Sequence, residues 1–419
     1  MPAAKEGEAA VRHLRDNALE KRTASRPVAS YEFVSSKARD DIATGRTGKI
    51  VMMRRAVRLL VAVVSAITAL LAPAAASPTG YIPAPLPPLN RPLVGFSFSP
   101  AALSRDMEPE RALDELLSSL QPDLVRLPVY WSVVAPTPND LDYGAVDRLI
   151  KTVQAHNAKK GSRQTQLVLV VGARNLVFPD VYLPTWLATR DVHTLERLLK
   201  TTNYHRYLET TFERYAGLPL LYAWQVENEP LDNARLNQLT NGALSQSLIS
   251  SEVDLLKSID PVHQVVVTTF NSSHVSLDLR GASPLSWLFT HLPGAKPAGH
   301  PLQALTVGDV LGLDLYVVTA STPSSTISPT TRISWKEETL DYWQQQAQKR
   351  GKTLWITEMQ ATPWTGTNGF SVEDLVTSAL AYRGHQVRVY LLWGVENWLT
   401  APDWMSAGIT SINVLRGGR

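Results

Sequence analysis

Glu229 and Glu358 are the residues of this chain best placed to do chemistry. Glu229 stands in Trp224-Gln-Val-Glu-Asn-Glu-Pro230 and Glu358 in Thr353-Leu-Trp-Ile-Thr-Glu-Met359, each after a short apolar run and before a loop. Two carboxyl groups delivered from separate strand ends suit cleavage of a glycosidic bond, where one group attacks and the other donates a proton. Glu227, two residues before Glu229, would face the same way on a regular strand. It reads either as a third carboxylate in the site or as a buried ion-pair partner. The nine histidines show no His-Glu-x-x-His pattern or paired spacing and there is no cysteine, so no metal site and no cofactor are expected.

Strands must carry these glutamates, and the chain supplies them. Short β-branched or apolar runs fall at 94–99, 124–129, 166–171, 221–226, 265–270, 310–316, 353–357 and 387–393. Between them lie amphipathic helical stretches at 110–121, 143–155, 193–215, 244–259, 334–349 and 372–382. Eight such units predict an α/β fold, a (β/α)8 TIM barrel forming one catalytic domain over 94–419. A doubly wound sheet would carry a Gly-rich phosphate turn after its first strand, but Ser99-Pro-Ala-Ala-Leu has no glycine. The eighth helix is expected to be weak or missing, since 405–419 is rich in Ser, Gly, Ile and Asn. Either the barrel closes unusually or the chain is truncated. The outer face of the last strand should then be partly exposed, or covered by the Pro-rich arm at 77–93.

The strand ends, read in order, give Arg126, Asn228-Glu229, Tyr316, Glu358 and Trp393. Together with Val125-Arg-Leu-Pro-Val-Tyr-Trp131, Asp309-Val-Leu-Gly-Leu-Asp-Leu-Tyr316 and Tyr390-Leu-Leu-Trp393, this pattern resembles clan A of the retaining glycoside hydrolases, in the cellulase-like manner of families 5 and 39. The resemblance spans residues 91–410. It implies Glu358 as nucleophile and Glu229 as general acid, then base. Arg126 would keep Glu358 ionised, Tyr316 would donate to the same carboxylate, and Asn228 would hold the sugar 2-hydroxyl. Trp393 would floor the cleavage subsite. Trp364, Trp398 and Trp404, in loops after the last two strands, are candidates for sugar stacking. Trp224 and Trp355 are expected between sheet and helices. The chain departs from the pattern after strand three, where Val171-Gly-Ala-Arg-Asn175 has no His, and at Asp314, where a His is common. His274 is a possible substitute. The resemblance implies a retaining β-glycosidase with a carbohydrate substrate; the alternative is a weak or inactive carbohydrate-binding barrel.

Charge and composition bound the rest. The chain has 419 residues, 44% hydrophobic and 19% charged, and its net charge is +3. The basic excess lies wholly within residues 1–58, so nothing suggests a nucleic-acid-binding face. Met53-Arg-Arg-Ala-Val-Arg58, the apolar run 59–72 and Ala74-Ala75-Ala76 read as a signal peptide over 53–76. Export to the extracellular space is expected, with no membrane association after cleavage; a retained signal anchor is the alternative. Residues 1–52 read as a disordered extension, and Met52 or Met53 as the functional start. No obligate protein partner is evident.

Overall fold

The computed structural model describes residues 89–177, 180–188, 195–232, 243–270, 301–318, 328–363 and 369–417. The expected signal peptide, the extension before it and residues 77–88 of the Pro-rich arm lie outside these. All eight expected strands are present: β1 (Leu93–Ser97), β2 (Leu124–Tyr130), β3 (Gln166–Gly172), β4 (Leu221–Val226), β5 (Gln264–Phe270), β6 (Val310–Leu315), β7 (Thr353–Gln360) and β8 (Val389–Trp393). Each pairs in parallel with its neighbours in sequence order, and β1 closes on β8. Among the described residues, the main helix following each strand is α1 (Pro109–Leu120), α2 (Gly144–Ala158), α3 (Thr202–Tyr215), α4 (Gln246–Ile259), α5 (Pro301–Val307), α6 (Pro329–Gln348), α7 (Val372–Tyr382) and α8 (Pro402–Leu415). This is the (β/α)8 barrel that the alternation of patterns predicts.

The strands alternate between two apolar environments. Val125, Leu127, Trp224, Val226, Leu311, Leu313, Ile356 and Leu392 join the large core shared with the helices. Their neighbours Leu124, Val168, Ala223, Val266, Val310, Trp355, Val389 and Leu391 form a separate cluster, the packed interior of the barrel. Trp224 meets Phe212 of α3 edge-on at 5.3 Å and donates Nε1 to Asp260, so it lies between sheet and helices as expected. Trp355 does not. It belongs to the interior cluster because its parity on β7 matches Val310 and Val389 on the neighbouring strands.

Two helical expectations need correction. The stretch 193–215 is broken into Leu195–Leu199 and α3, because Thr201 caps α3 by accepting from the Tyr204 N–H. The eighth helix is weak in composition, as expected, but it is not missing. α8 runs for 14 residues without a side-chain cap and buries Gly408, Ser411, Ile412, Val414 and Leu415. The expected exposure of strand eight is therefore wrong: Val387, Val389, Tyr390 and Leu391 are all buried. Small residues on α8 let it approach Trp398 closely, and this mode of packing leaves little trace in an apolar periodicity.

Below the interior cluster, Asp123 ties three segments together. Its carboxylate accepts two bonds of 2.8 Å from Arg91, one of 3.2 Å from Arg163 and one of 3.3 Å from Arg416. It also accepts from the N–H of Val94 in β1. Burial alone would raise this carboxyl, but the Arg91 hydrogen bonds, the Val94 N–H and the nearby arginine charges hold it below its ordinary range.

Candidate active site

Above the apolar interior, the next inward-facing positions are polar. Ser97, Arg126, Gln225 and Glu358 are all buried there. Arg126 uses its whole guanidinium: Nε donates to Ser97 Oγ at 2.8 Å, Nη1 to Gln225 Oε1 at 2.9 Å, and Nη2 to Glu358 Oε1 at 2.6 Å. The other oxygen of Glu358 accepts from the Tyr316 hydroxyl, at the end of β6. Both oxygens thus face donors, one of them cationic.

A strand irregularity is needed to bring Glu358 inward. Trp355 faces the interior, so strict alternation would send residue 358 outward. The register of β7 on β6 shifts between Leu313 and Asp314, and Asp314 then pairs with Glu358 rather than residue 357. The extra residue restores the inward direction, as a bulge does.

Glu229 is delivered differently. β4 ends at Val226, and both Glu227 (φ 57°) and Glu229 (φ 45°) adopt left-handed backbone. Such conformations are costly for non-glycine residues and persist where surrounding bonds hold them. Here Thr268 Oγ1 accepts from the Glu229 N–H at 2.8 Å, and Arg174 O accepts from the Asn228 N–H at 3.0 Å. The turn also settles Glu227. Its carboxylate leaves the site and accepts from the backbone N–H groups of Ala173 and Arg174 and from the Tyr204 hydroxyl. It is a loop anchor, fully buried, and burial pushes its carboxyl up to about 7 against those donors.

The Glu229 carboxyl has the opposite setting to Glu358. Its Oε1 is sealed from solvent without a hydrogen-bond partner. Burial, followed by the charges of Asp314, Asp232 and Glu358, raises it well above the carboxylate range. Asp314 is itself fully buried, with Oδ1 accepting from Thr357 Oγ1 at 2.6 Å. Burial and Glu358 push it up as well, partly offset by Arg126. Tyr316 is raised far above 10 by burial, Glu358, Glu229 and Asp314, so it stays a hydrogen-bond donor.

Gln225 links the pieces: its Nε2 donates to Asn228 Oδ1 at 3.0 Å while its Oε1 accepts from Arg126. That fixes the Asn228 amide with its donor end turned away from Gln225. Trp393 ends β8 half-buried and meets Tyr316 edge-on at 5.3 Å, and Phe270 stacks on Tyr316 at 6.2 Å. The structure therefore brings together Arg126, Asn228, Glu229, Tyr316, Glu358 and Trp393.

The loop tryptophans fare differently. Trp398 is only 1% exposed, donates Nε1 to Ala361 O at 2.7 Å and packs on α8, so it is a core residue and not a sugar contact. Trp404 is half-buried against Phe370. Trp364 and His274 lie outside the described residues. Ser97, Gln225 and Asp314 were not read as site residues. The inward parity of Ser97 and Gln225 with Arg126 was the available signal. Among the described residues no group of three or more His, Asp or Glu is placed to hold a metal ion, and no helix is long and apolar enough to cross a membrane.

No protein-family model matches the chain, and no curated protein matches its sequence. Solved structures do match. A GH5_18 from Bifidobacterium longum subsp. infantis aligns with a TM-score of 0.53 at 14% identity, covering 78% of this chain and 79% of that one. The GH5_18 from Bifidobacterium longum subsp. longum ATCC 55813 gives 0.51 at 17%, covering 72% and 69%. The beta-galactosidase of the psychrophilic Marinomonas ef1 gives 0.50 at 13%, covering 77% and 59%. At these identities the likeness is one of fold: the chain is a (β/α)8 barrel built on the plan of these GH5_18 and beta-galactosidase structures.

Proposed function

We propose that this chain is an exported retaining β-glycoside hydrolase that cleaves β-linked oligo- or polysaccharide by double displacement. One observation carries the reading: two carboxyls of one site stand in opposite electrostatic settings. Glu358 accepts from Arg126 and Tyr316, while Glu229 has one oxygen sealed without a partner and its carboxyl is raised well above its ordinary value by burial and neighbouring carboxyls. A raised carboxyl beside one held by a guanidinium and a hydroxyl divides the labour of acid and nucleophile. The similarity of fold to the GH5_18 and beta-galactosidase structures agrees with it, and the segment 53–76 supports export.

In the first step a Glu358 oxygen attacks the anomeric carbon, the bond to the leaving oxygen breaks, and Glu229 gives its proton to that oxygen. Arg126 and Tyr316 hold the nucleophile's plane and release charge as the carbon–oxygen bond forms. In the second step water attacks the same carbon, Glu229 takes the water's proton, and Glu358 departs as a carboxylate. Asn228, oriented by Gln225, meets the 2-hydroxyl, and Trp393 lies beneath the ring. The raised Glu229 predicts an alkaline limb of activity above the ordinary carboxylate range.

The test is a panel of aryl β-glycosides and β-glucan, mannan and xylan polymers. Wild type should turn over at least one, with the first-formed product keeping the β-configuration by NMR. Glu358→Ala should lose activity and regain part of it with azide, giving the inverted azide product. Glu229→Ala should be hit hardest on poor leaving groups. An inactive wild type across the panel would overturn the proposal.

A further inference from the structure

Glu396 is a buried carboxyl that the two-step chemistry does not use. It follows Trp393 by three residues, in a 3-10 helix spanning Val395–Thr400. Gly394, at φ 91°, turns the chain sharply after the strand, and Asn397 fixes that turn by donating to Gly394 O and Thr362 Oγ1. The turn carries Glu396 across to β1. There its Oε1 accepts from the Ser99 N–H at 2.6 Å, and Ser99 Oγ is hydrogen-bonded to the Tyr130 hydroxyl at 2.5 Å. Ser99 follows β1 and Tyr130 ends β2, so the three groups line the seam where the C-terminal ends of β8, β1 and β2 meet.

This seam lies opposite the strand that delivers Glu229. A sugar resting on Trp393 must turn its anomeric carbon toward Glu229 on β4 and Glu358 on β7. Its far edge, with the hydroxyls most distant from the scissile bond, then faces β8, β1 and β2. Among the described residues no other residue donates to the second oxygen of Glu396, Oε2, and that atom is not among the sealed, partnerless ones. Glu396 is near enough to Arg126 to feel its charge, and burial pushes it up to about 7. A carboxyl with one oxygen anchored to the Ser99 backbone, and the other neither sealed nor bonded to another residue, can receive a hydroxyl.

We propose that Glu396 is a specificity-determining residue, binding through Oε2 a hydroxyl on the far edge of the sugar that rests on Trp393, at its 3-, 4- or 6-position. This rests on the glycosidase reading above. A polar group placed for one hydroxyl discriminates strongly against a substrate lacking it, because its own bond is then left unmade.

The experiment is a cycle between enzyme and substrate. Wild type, Glu396→Ala and Glu396→Gln are assayed on the best aryl β-glycoside and on its 3-deoxy, 4-deoxy and 6-deoxy analogues, with melting temperatures measured alongside. Wild type should lose roughly 10–100-fold in kcat/KM for one of the deoxy analogues. Glu396→Ala should erase that penalty to within about threefold, while Glu396→Gln, which keeps the shape and a polar tip, should retain part of it. A purely structural role would lower the melting temperature and leave every penalty unchanged, and that result overturns the proposal. A wild type penalised by no deoxy analogue overturns it equally. A wild type that turns over no glycoside at all instead removes the glycosidase reading on which it stands.

Discussion

Gly408→Ala should destabilise the protein, although helix propensity alone argues the reverse. Gly408 sits mid-helix in α8, where alanine is favoured over glycine by about 1 kcal/mol. Against that, a Cβ at this position would lie 2.0 Å from Trp398 Cζ3 and 2.3 Å from Cη2. Carbon atoms pack at about 3.5–4.0 Å, so α8 or the ring must retreat by roughly 1.5 Å. Neither moves freely. Trp398 is buried and tethered to Ala361 O, and α8 is seated through Ile412 and Leu415. Overpacking costs about 1–3 kcal/mol, and losing the tether adds about 1 kcal/mol, so the clash wins by about 1–3 kcal/mol net. Urea unfolding followed by circular dichroism would read this as a lowered midpoint with unchanged slope. Thr410→Ala, on the exposed side of the same helix, should gain a few tenths of a kcal/mol and isolates the propensity effect. Trp398→Phe combined with Gly408→Ala should be less damaging than the sum of the two, because the smaller ring vacates the space. If Gly408→Ala matched or exceeded wild type, the close approach of α8 to Trp398 would be refuted.

Three further outcomes follow from the polar contacts. Arg126→Lys should cut kcat/KM on any turned-over glycoside by about 10²–10⁴-fold, since one ammonium cannot serve Ser97, Gln225 and Glu358 with the guanidinium's geometry; steady-state kinetics checks it. Asp123→Asn should cost about 2–4 kcal/mol at neutral pH by leaving three arginines short of their counter-charge. Because the folded carboxyl sits below 3.8, its stabilisation is present above that pH and is lost as the pH falls further, so thermal melts of the variant should show a shallower acid decline than wild type. Glu396 has the reverse sign: raised from 4.5 to about 7, it stabilises fully below pH 4.5 and the contribution fades as pH rises through 7, by about 3 kcal/mol. Glu396→Gln should remove that part of the slope in melting temperature between pH 4.5 and 8.

Strand positions were legible because alternation within a strand and repetition of units are both sequence-local. Glu358 was legible as a polar residue late in an apolar run, and Arg126 as a charged residue inside an otherwise apolar one. The parity of Glu358 was not, because the β7 irregularity has no composition of its own. Glu227 illustrates a second limit. A regular-strand argument placed it beside Glu229, but two left-handed residues broke the strand and turned it onto the N–H groups of Ala173 and Arg174. Trp398 and α8 illustrate a third. An aromatic in a loop and a Gly in a helix each looked weak alone, and only together do they make a packed contact. Gln225 was hidden because its value lies in joining Arg126 to Asn228, two residues that share no local pattern.

Closure of β1 on β8 also has a kinetic side. The seam joins Leu93 to Val389 and Phe96 to Leu392, and the Arg416 bond to Asp123 spans 293 residues. Contacts between such distant positions form only after most chain entropy has been spent, which slows folding. Until β8 docks, β1 and β7 are bare edges whose unpaired backbone groups invite pairing with another chain. Bonds made at the seam should therefore be nearly absent from the folding transition state. Their loss would accelerate unfolding far more than it slows folding, making the Asp123 cluster a determinant of how long the folded barrel lasts rather than how quickly it arises.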